Sequence, residues 1–75
     1  MTKWKTHLER AIEIAGGQKA LGDKIGKTQQ YVWNLLNSAT TIKAEVAIDI
    51  EVATSKAVKR GQLRPDIFGE VSDAA

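Results

Sequence analysis

Gln29, Gln30, Trp33 and Asn34 are the residues whose types and spacing suit recognition chemistry. A carboxamide donates and accepts at once, so a glutamine or asparagine can pair with an adenine edge in the major groove of a duplex. Positions 29, 30, 33 and 34 fall on one side of a helix, opposite Val32, Leu35 and Leu36. Thr28, just before them, is a good N-cap residue and stands where a hydroxyl could also meet a base or a phosphate. Trp33 admits two placements: against a thymine methyl or groove wall, or folded sideways onto the rim of the core. The candidate base-reading set is therefore Thr28, Gln29, Gln30, Trp33 and Asn34. A second set would hold phosphate: Gln18 at a helix N-terminus, Lys19, Lys27 and Lys43 as point charges, and Tyr31 through its hydroxyl.

Positioning these groups requires the stretch Gln18–Leu35, QKALGDKIGKTQQYVWNL. It reads as a short helix over Gln18–Ile25, with Leu21 and Ile25 on one face, then a turn at Gly26 and a second helix capped by Thr28. Gly22 lies four residues before the turn, where the two helices approach each other. This is the spacing of a helix-turn-helix. An interior glycine costs a helix about 1 kcal/mol against alanine, so Gly22→Ala is expected to be neutral or stabilising if the site has room for a methyl.

Composition narrows the choices. Seventy-five residues make one small domain, expected over residues 1–69, with residues 70–75, EVSDAA, as a loose tail lacking any packing signal. With no cysteine, disulfides and thiolate metal sites are excluded, and His7 has no partner at ligand spacing; no metal or cofactor is expected. No apolar run approaches membrane-spanning length, and a cytoplasmic location is the expectation. Net charge is +2, unevenly spread: residues 1–43 carry seven Lys/Arg and three Asp/Glu, residues 44–75 four and six. The basic half thus contains the glutamines, as an electrostatic footprint on phosphate requires. No Ser/His/Asp or paired-carboxylate constellation suggests an enzyme, and a deep pocket is not expected in so short a chain.

Around this centre, Trp4, Leu8, Ala11, Ile12 and Ala15 repeat at helical spacing and predict a helix over 3–15, ended by Gly16-Gly17. The recognition helix should end near Asn37-Ser38, followed by a polar loop, Ser38–Ile42. Residues 44–54 are ambiguous. Val46, Ile48, Ile50 and Val52 alternate like a strand, while Val46, Ala47, Ile50 and Ala53 share one helical face. Val58 should be buried in the connector 55–60. A short helix around Gly61–Arg64 should stop at Pro65, with Leu63, Ile67 and Phe68 folded back over the first and fourth helices and Arg64 paired with Asp66.

Gln18, Gly22, Gly26, Val32 and Leu35 occupy the positions that the lambdoid phage repressors and Cro proteins conform to, and Thr28-Gln29-Gln30 resembles the start of their recognition helix. The chain departs from that pattern at Gly22, where alanine is usual, and at Lys27, where an apolar residue is commoner. Ile50-Glu51-Val52-Ala53-Thr54 and Leu63–Phe68, LRPDIF, resemble a group of prophage Cro-like proteins termed YdaS-like, often described as antitoxins. The resemblance implies an all-α bundle of four to five short helices of lambda-repressor type, and it decides residues 44–54 as a helix. It implies a DNA-binding transcription regulator, a Cro-type repressor acting on a double-stranded operator as a homodimer. The alternative it leaves is an antitoxin-like autorepressor that also binds a partner protein, through an apolar patch such as Ile48, Val52 and Ile67. A purely protein-binding helical adaptor is disfavoured by the charge asymmetry and the glutamine pair.

Overall fold

The computed structural model describes residues 3–68, and over them the chain is all-α. Six helices follow in order: α1 (Lys3–Ala15), α2 (Gln18–Ile25), α3 (Gln29–Asn37), α4 (Ala44–Ala53), α5 (Arg60–Leu63) and α6 (Pro65–Phe68). The boundary at 69 and the expected tail over 70–75 lie outside the described residues.

α1 buries Trp4, Leu8 and Ala11, with Ile12 and Ala15 packed alongside, so its apolar spacing becomes one face of the core. α2 buries Leu21, Gly22 and Ile25, and α3 buries Val32 and Leu35. Ile42, Val58 and Leu63 complete the core from the loops and α5. α2 packs against α1, α3 and α4, while α5 closes the bundle between α1 and α4.

The turn between α2 and α3 is short because its residues satisfy both helix ends. Gly26 caps α2 at φ +74°, a left-handed conformation natural to glycine, and the Lys27 N–H donates to the Gly22 carbonyl at 2.8 Å. Thr28 caps α3: its Oγ1 accepts from the Tyr31 N–H at 3.0 Å. Room for a methyl at Gly22 is absent. A Cβ there would stand 3.0 Å from the Lys27 carbonyl oxygen and 3.0 Å from the Thr28 carbonyl carbon and oxygen.

Residues 44–53 form a helix, with Val46, Ala47 and Ile50 fully buried. Its C-terminus is organised by Thr54, whose hydroxyl donates to the Ile50 carbonyl at 2.9 Å and accepts from the Val58 N–H at 3.1 Å. Ser55 and Lys56 follow with φ of +54° and +69°, and the buried Val58 anchors the connector. The last helices depart from expectation in two ways. Pro65 halts α5 but also opens α6 as its first residue, where its missing N–H costs nothing; this raises the helix count to six. Ile67 does not fold back: it is 50% exposed, whereas Leu63 is buried and Phe68 packs on the core.

Polar contacts made by Arg60, Trp4 and Arg64 fasten these parts. Glu51, only 8% exposed, takes a 2.8 Å bond from Arg60 Nε, and the Arg60 guanidinium lies 5.5 Å from the Phe68 ring centre. Trp4 Nε1 donates to the Thr40 carbonyl at 3.3 Å. Arg64 donates to the Ile42 carbonyl and grips Asp66 with two bonds, Nε–Oδ1 at 3.0 Å and Nη2–Oδ2 at 2.8 Å.

Two expected outcomes follow from this packing. Gly22→Ala should destabilise the fold: pressing a methyl against the Lys27-Thr28 backbone costs about 1–3 kcal/mol, against roughly 1 kcal/mol gained in helix propensity. Each net kcal/mol lowers the melting temperature of a domain this size by about 4–8 °C, and an unchanged or higher midpoint in calorimetry would refute the contact. Hydrogen bonding from Arg64 holds the Asp66 carboxyl below the usual carboxylate range. A depressed folded pKa stabilises above the unfolded value of about 3.9 and is lost as pH falls through the folded value. Asp66→Asn should therefore remove part of the acid-side loss of stability below about pH 4. Parallel melting-against-pH curves for the two proteins would refute this.

Candidate functional site

The outward side of α3 carries the predicted readers. Thr28, Gln29, Gln30 and Asn34 are exposed, and Trp33 is 46% exposed. Among the described residues, Trp33 is not one of the partly buried hydrophobics packed against the core. The indole stands with Gln18, Gln29 and Gln30 around an open concavity of about 530 Å³. Gln18, expected from the sequence to contact phosphate, is half-buried at the first turn of α2 and lines this concavity beside Gln29 and Gln30. Asn34 is held beside this group: Gln30 Nε2 donates to Asn34 Oδ1 at 3.2 Å. Asn37 Nδ2 donates to the Trp33 carbonyl at 2.9 Å, tying the last turn of α3.

The presumed phosphate groups are less gathered. Lys27 Nζ lies 5.2 Å from the centre of the Tyr31 ring, so this cation and this phenol share one edge of α3. Tyr31 is half-buried against the core. Burial, with the Glu45 carboxylate adding to it, pushes its pKa above the ordinary value. A phenol is protonated at neutral pH with or without this shift, so the hydroxyl can donate. Lys19 is exposed and reaches Asp23 one turn on, at 3.5 Å. Lys43 is exposed as the N-cap residue of α4 and does not line the concavity.

Two supports of this surface were not read from the sequence. The loop Ser38–Lys43, which leaves α3, is held at the Thr40 carbonyl by Trp4 and at the Ile42 carbonyl by Arg64. Ile42 itself is fully buried. The partners stand 36 and 22 positions apart along the chain, and only the apolar character of Trp4 and Ile42 hinted at a meeting. Among the described residues no group of three or more His, Cys, Asp or Glu could hold a metal ion, and no helix is long and apolar enough to cross a membrane.

Two further observations concern relatedness. The model of a family described as "Bacterial toxin YdaS" matches residues 8–72. That description is of a toxin, whereas the resemblance drawn from the sequence left an antitoxin-like role as its alternative. No curated protein and no solved structure gives a match. A match from Leu8 in α1 to beyond the last described helix takes in all of α2 to α6, and the chain belongs to the YdaS family.

Proposed function

We propose that this protein is a sequence-specific DNA-binding regulator of transcription, a Cro-type repressor of prophage origin that works in the cytoplasm as a homodimer on a near-palindromic operator. One observation carries the reading. Gln29, Gln30, Trp33 and Asn34 stand exposed along one side of α3 while Val32 and Leu35 anchor the other side in the core. A helix so presented, at the end of a short glycine turn, suits the major groove as the second helix of a helix-turn-helix. Its amides would read base edges, with Trp33 against a thymine methyl or sugar. Lys19, Lys27 and Lys43, together with the Tyr31 hydroxyl, would contact phosphates and set affinity without setting sequence. Dimerisation follows from economy: one such module reads few bases, and two half-sites supply the rest.

The test is a set of duplex titrations with a selected operator and a scrambled control across a salt series. The logarithm of the binding constant should fall with the logarithm of salt, with a slope of roughly −0.9 per phosphate neutralised. Lys27→Ala should flatten that slope and weaken both duplexes alike. Gln29→Ala should cost about 1–3 kcal/mol on the operator and far less on the control, with folding changed by no more than about 0.5 kcal/mol. Equal losses on both duplexes would remove Gln29 from the readers. A flat salt dependence in the parent protein would sink the groove-docking reading itself.

A second reading is favoured by Val52, an apolar residue 72% exposed on α4. In it the regulator belongs to a toxin–antitoxin arrangement, as the family's description suggests, and holds a partner protein on the surface around Val52, the half-buried Ile48 and the exposed Ile67. Co-expression with the product of the adjacent gene, followed by size-exclusion chromatography, tests it. Val52→Asp should split such a complex while leaving duplex binding intact. A complex that survives this change would place the partner elsewhere.

A further inference from the structure

Gln30 and Asn34 are four apart on α3, the spacing at which side chains on a helix surface meet. Their amides are joined by the 3.2 Å bond from Gln30 Nε2 to Asn34 Oδ1. A free carboxamide offers an oxygen and an NH2 group, and can turn either toward a ligand. Joined amides cannot do so independently. With one N–H of Gln30 engaged by the Asn34 oxygen, the groups left wholly free for a ligand are the Gln30 oxygen and the Asn34 NH2 group, while the bonded NH2 and oxygen each keep one further donor or acceptor position. Turning both amides over exchanges the two roles but leaves the same complement: one acceptor from one side chain, one donor from the other.

That complement matches one base edge better than the rest. In the major groove adenine shows an acceptor, N7, beside a donor, the N6 amino group. Guanine shows two acceptors there, cytosine only a donor, and thymine an acceptor with a methyl group. Among the described residues Gln29 makes no side-chain hydrogen bond and keeps its full freedom. Resting on the DNA-reading function argued above, we propose that Gln30 and Asn34 read a single adenine together, as one composite reader, while Gln29 reads a different base alone. The mutual bond restrains both side chains before binding, which lowers the ordering cost that two free amides would each carry.

The pairing is tested first without DNA. In a 15N–1H spectrum of the whole protein, Asn34→Ala should shift the Gln30 side-chain NH2 signals; unchanged signals would overturn the proposal. The second arm takes a selected operator and replaces its base pairs one at a time, with titrations of the parent, Gln30→Ala, Asn34→Ala, the double variant and Gln29→Ala at one salt concentration. Gln30→Ala and Asn34→Ala should each erase discrimination at the same A·T pair, a loss of about 5- to 150-fold. The double variant should bind within about 2-fold of the weaker single one, because the second change removes nothing further. Gln29→Ala should relax a different position, and its loss should multiply with that of Gln30→Ala. Thermal melts of all variants within a few degrees of the parent show that folding is not the cause. If Gln30→Ala and Asn34→Ala relax different base pairs, or the double loss equals the product of the singles, each amide reads alone. The composite reader is then wrong although the DNA-reading function stands. A parent protein that prefers no sequence overturns both.

Discussion

Gly22 has no side chain, and the backbone of Lys27 and Thr28 occupies the space where one would begin, 3.0 Å from an ideal Cβ. Closeness at this point is what allows α2 to meet α3 across so short a turn. The Gly22 carbonyl accepts from the N–H groups of Gly26 and Lys27, so the residue that lets the turn approach also holds it in place. Thr28 takes part on both sides: its carbonyl group lies against Gly22, and its hydroxyl caps α3. Were the two segments pushed apart by even a methyl, the start of α3 would move relative to α2. The concavity joining Gln18 to Gln29, Gln30 and Trp33 spans that junction and would move with it.

The rest of the chain braces this junction from behind. α1 lies against α2 and α5, and reaches the loop after α3 through the Trp4 bond to Thr40. The C-terminal segment reaches the same loop through Arg64 and the Ile42 carbonyl. Both ends of the described chain thus converge on Ser38–Lys43, and the exit from α3 is fixed as firmly as its entry. The pair of Glu51 with Arg60, lying over Phe68, ties α4 to α5 and α6. Removing Arg60 would leave the nearly buried Glu51 carboxylate poorly solvated, whereas Arg60 is itself open to water, so the pair's value lies in fixing this corner more than in net stability.

How much of this was legible depended on whether a feature is local. Helices α1, α2 and α3 were readable because apolar spacing, the Gly16-Gly17 and Gly26 breaks, and the Thr28 cap all agree within a few residues. Residues 44–53 were not readable from periodicity. Their four β-branched residues alternate as in a strand, yet two of them, Val46 and Ile50, are also four apart and both fully buried on one helical face. Val52, 72% exposed, breaks the helical pattern without contributing to the core. Resemblance chose correctly there, where local propensity leaned the other way. Distances were out of reach altogether. A glycine in the sequence signals permission to approach, not whether the approach has used up the space, and so the crowding at Gly22 was missed. The exposure of Ile67 was missed for a related reason: four residues opened by Pro65 make a single helical turn, which turns Phe68 inward and leaves Ile67 outside.

Within the candidate site, the outward residues differ in how closely they depend on the fold. Gln29, Gln30 and Asn34 are exposed, and their side-chain bonds, where they form any, stay on their own helix. Tyr31 is different because it belongs to the core and to the surface at once: its ring packs inward while Lys27 covers it from outside. The same burial that holds the ring in place raises the pKa of the hydroxyl, with the Glu45 carboxylate acting in the same direction. A tyrosine whose folded pKa is raised stabilises the fold below its unfolded value of about 10 and loses that contribution as pH rises through the folded value. Near neutrality the phenol is protonated whatever the shift, and the adjacent ammonium of Lys27 supplies positive charge. Glu45 works against that charge at the same edge, so the local potential is more moderate than a count of lysines implies.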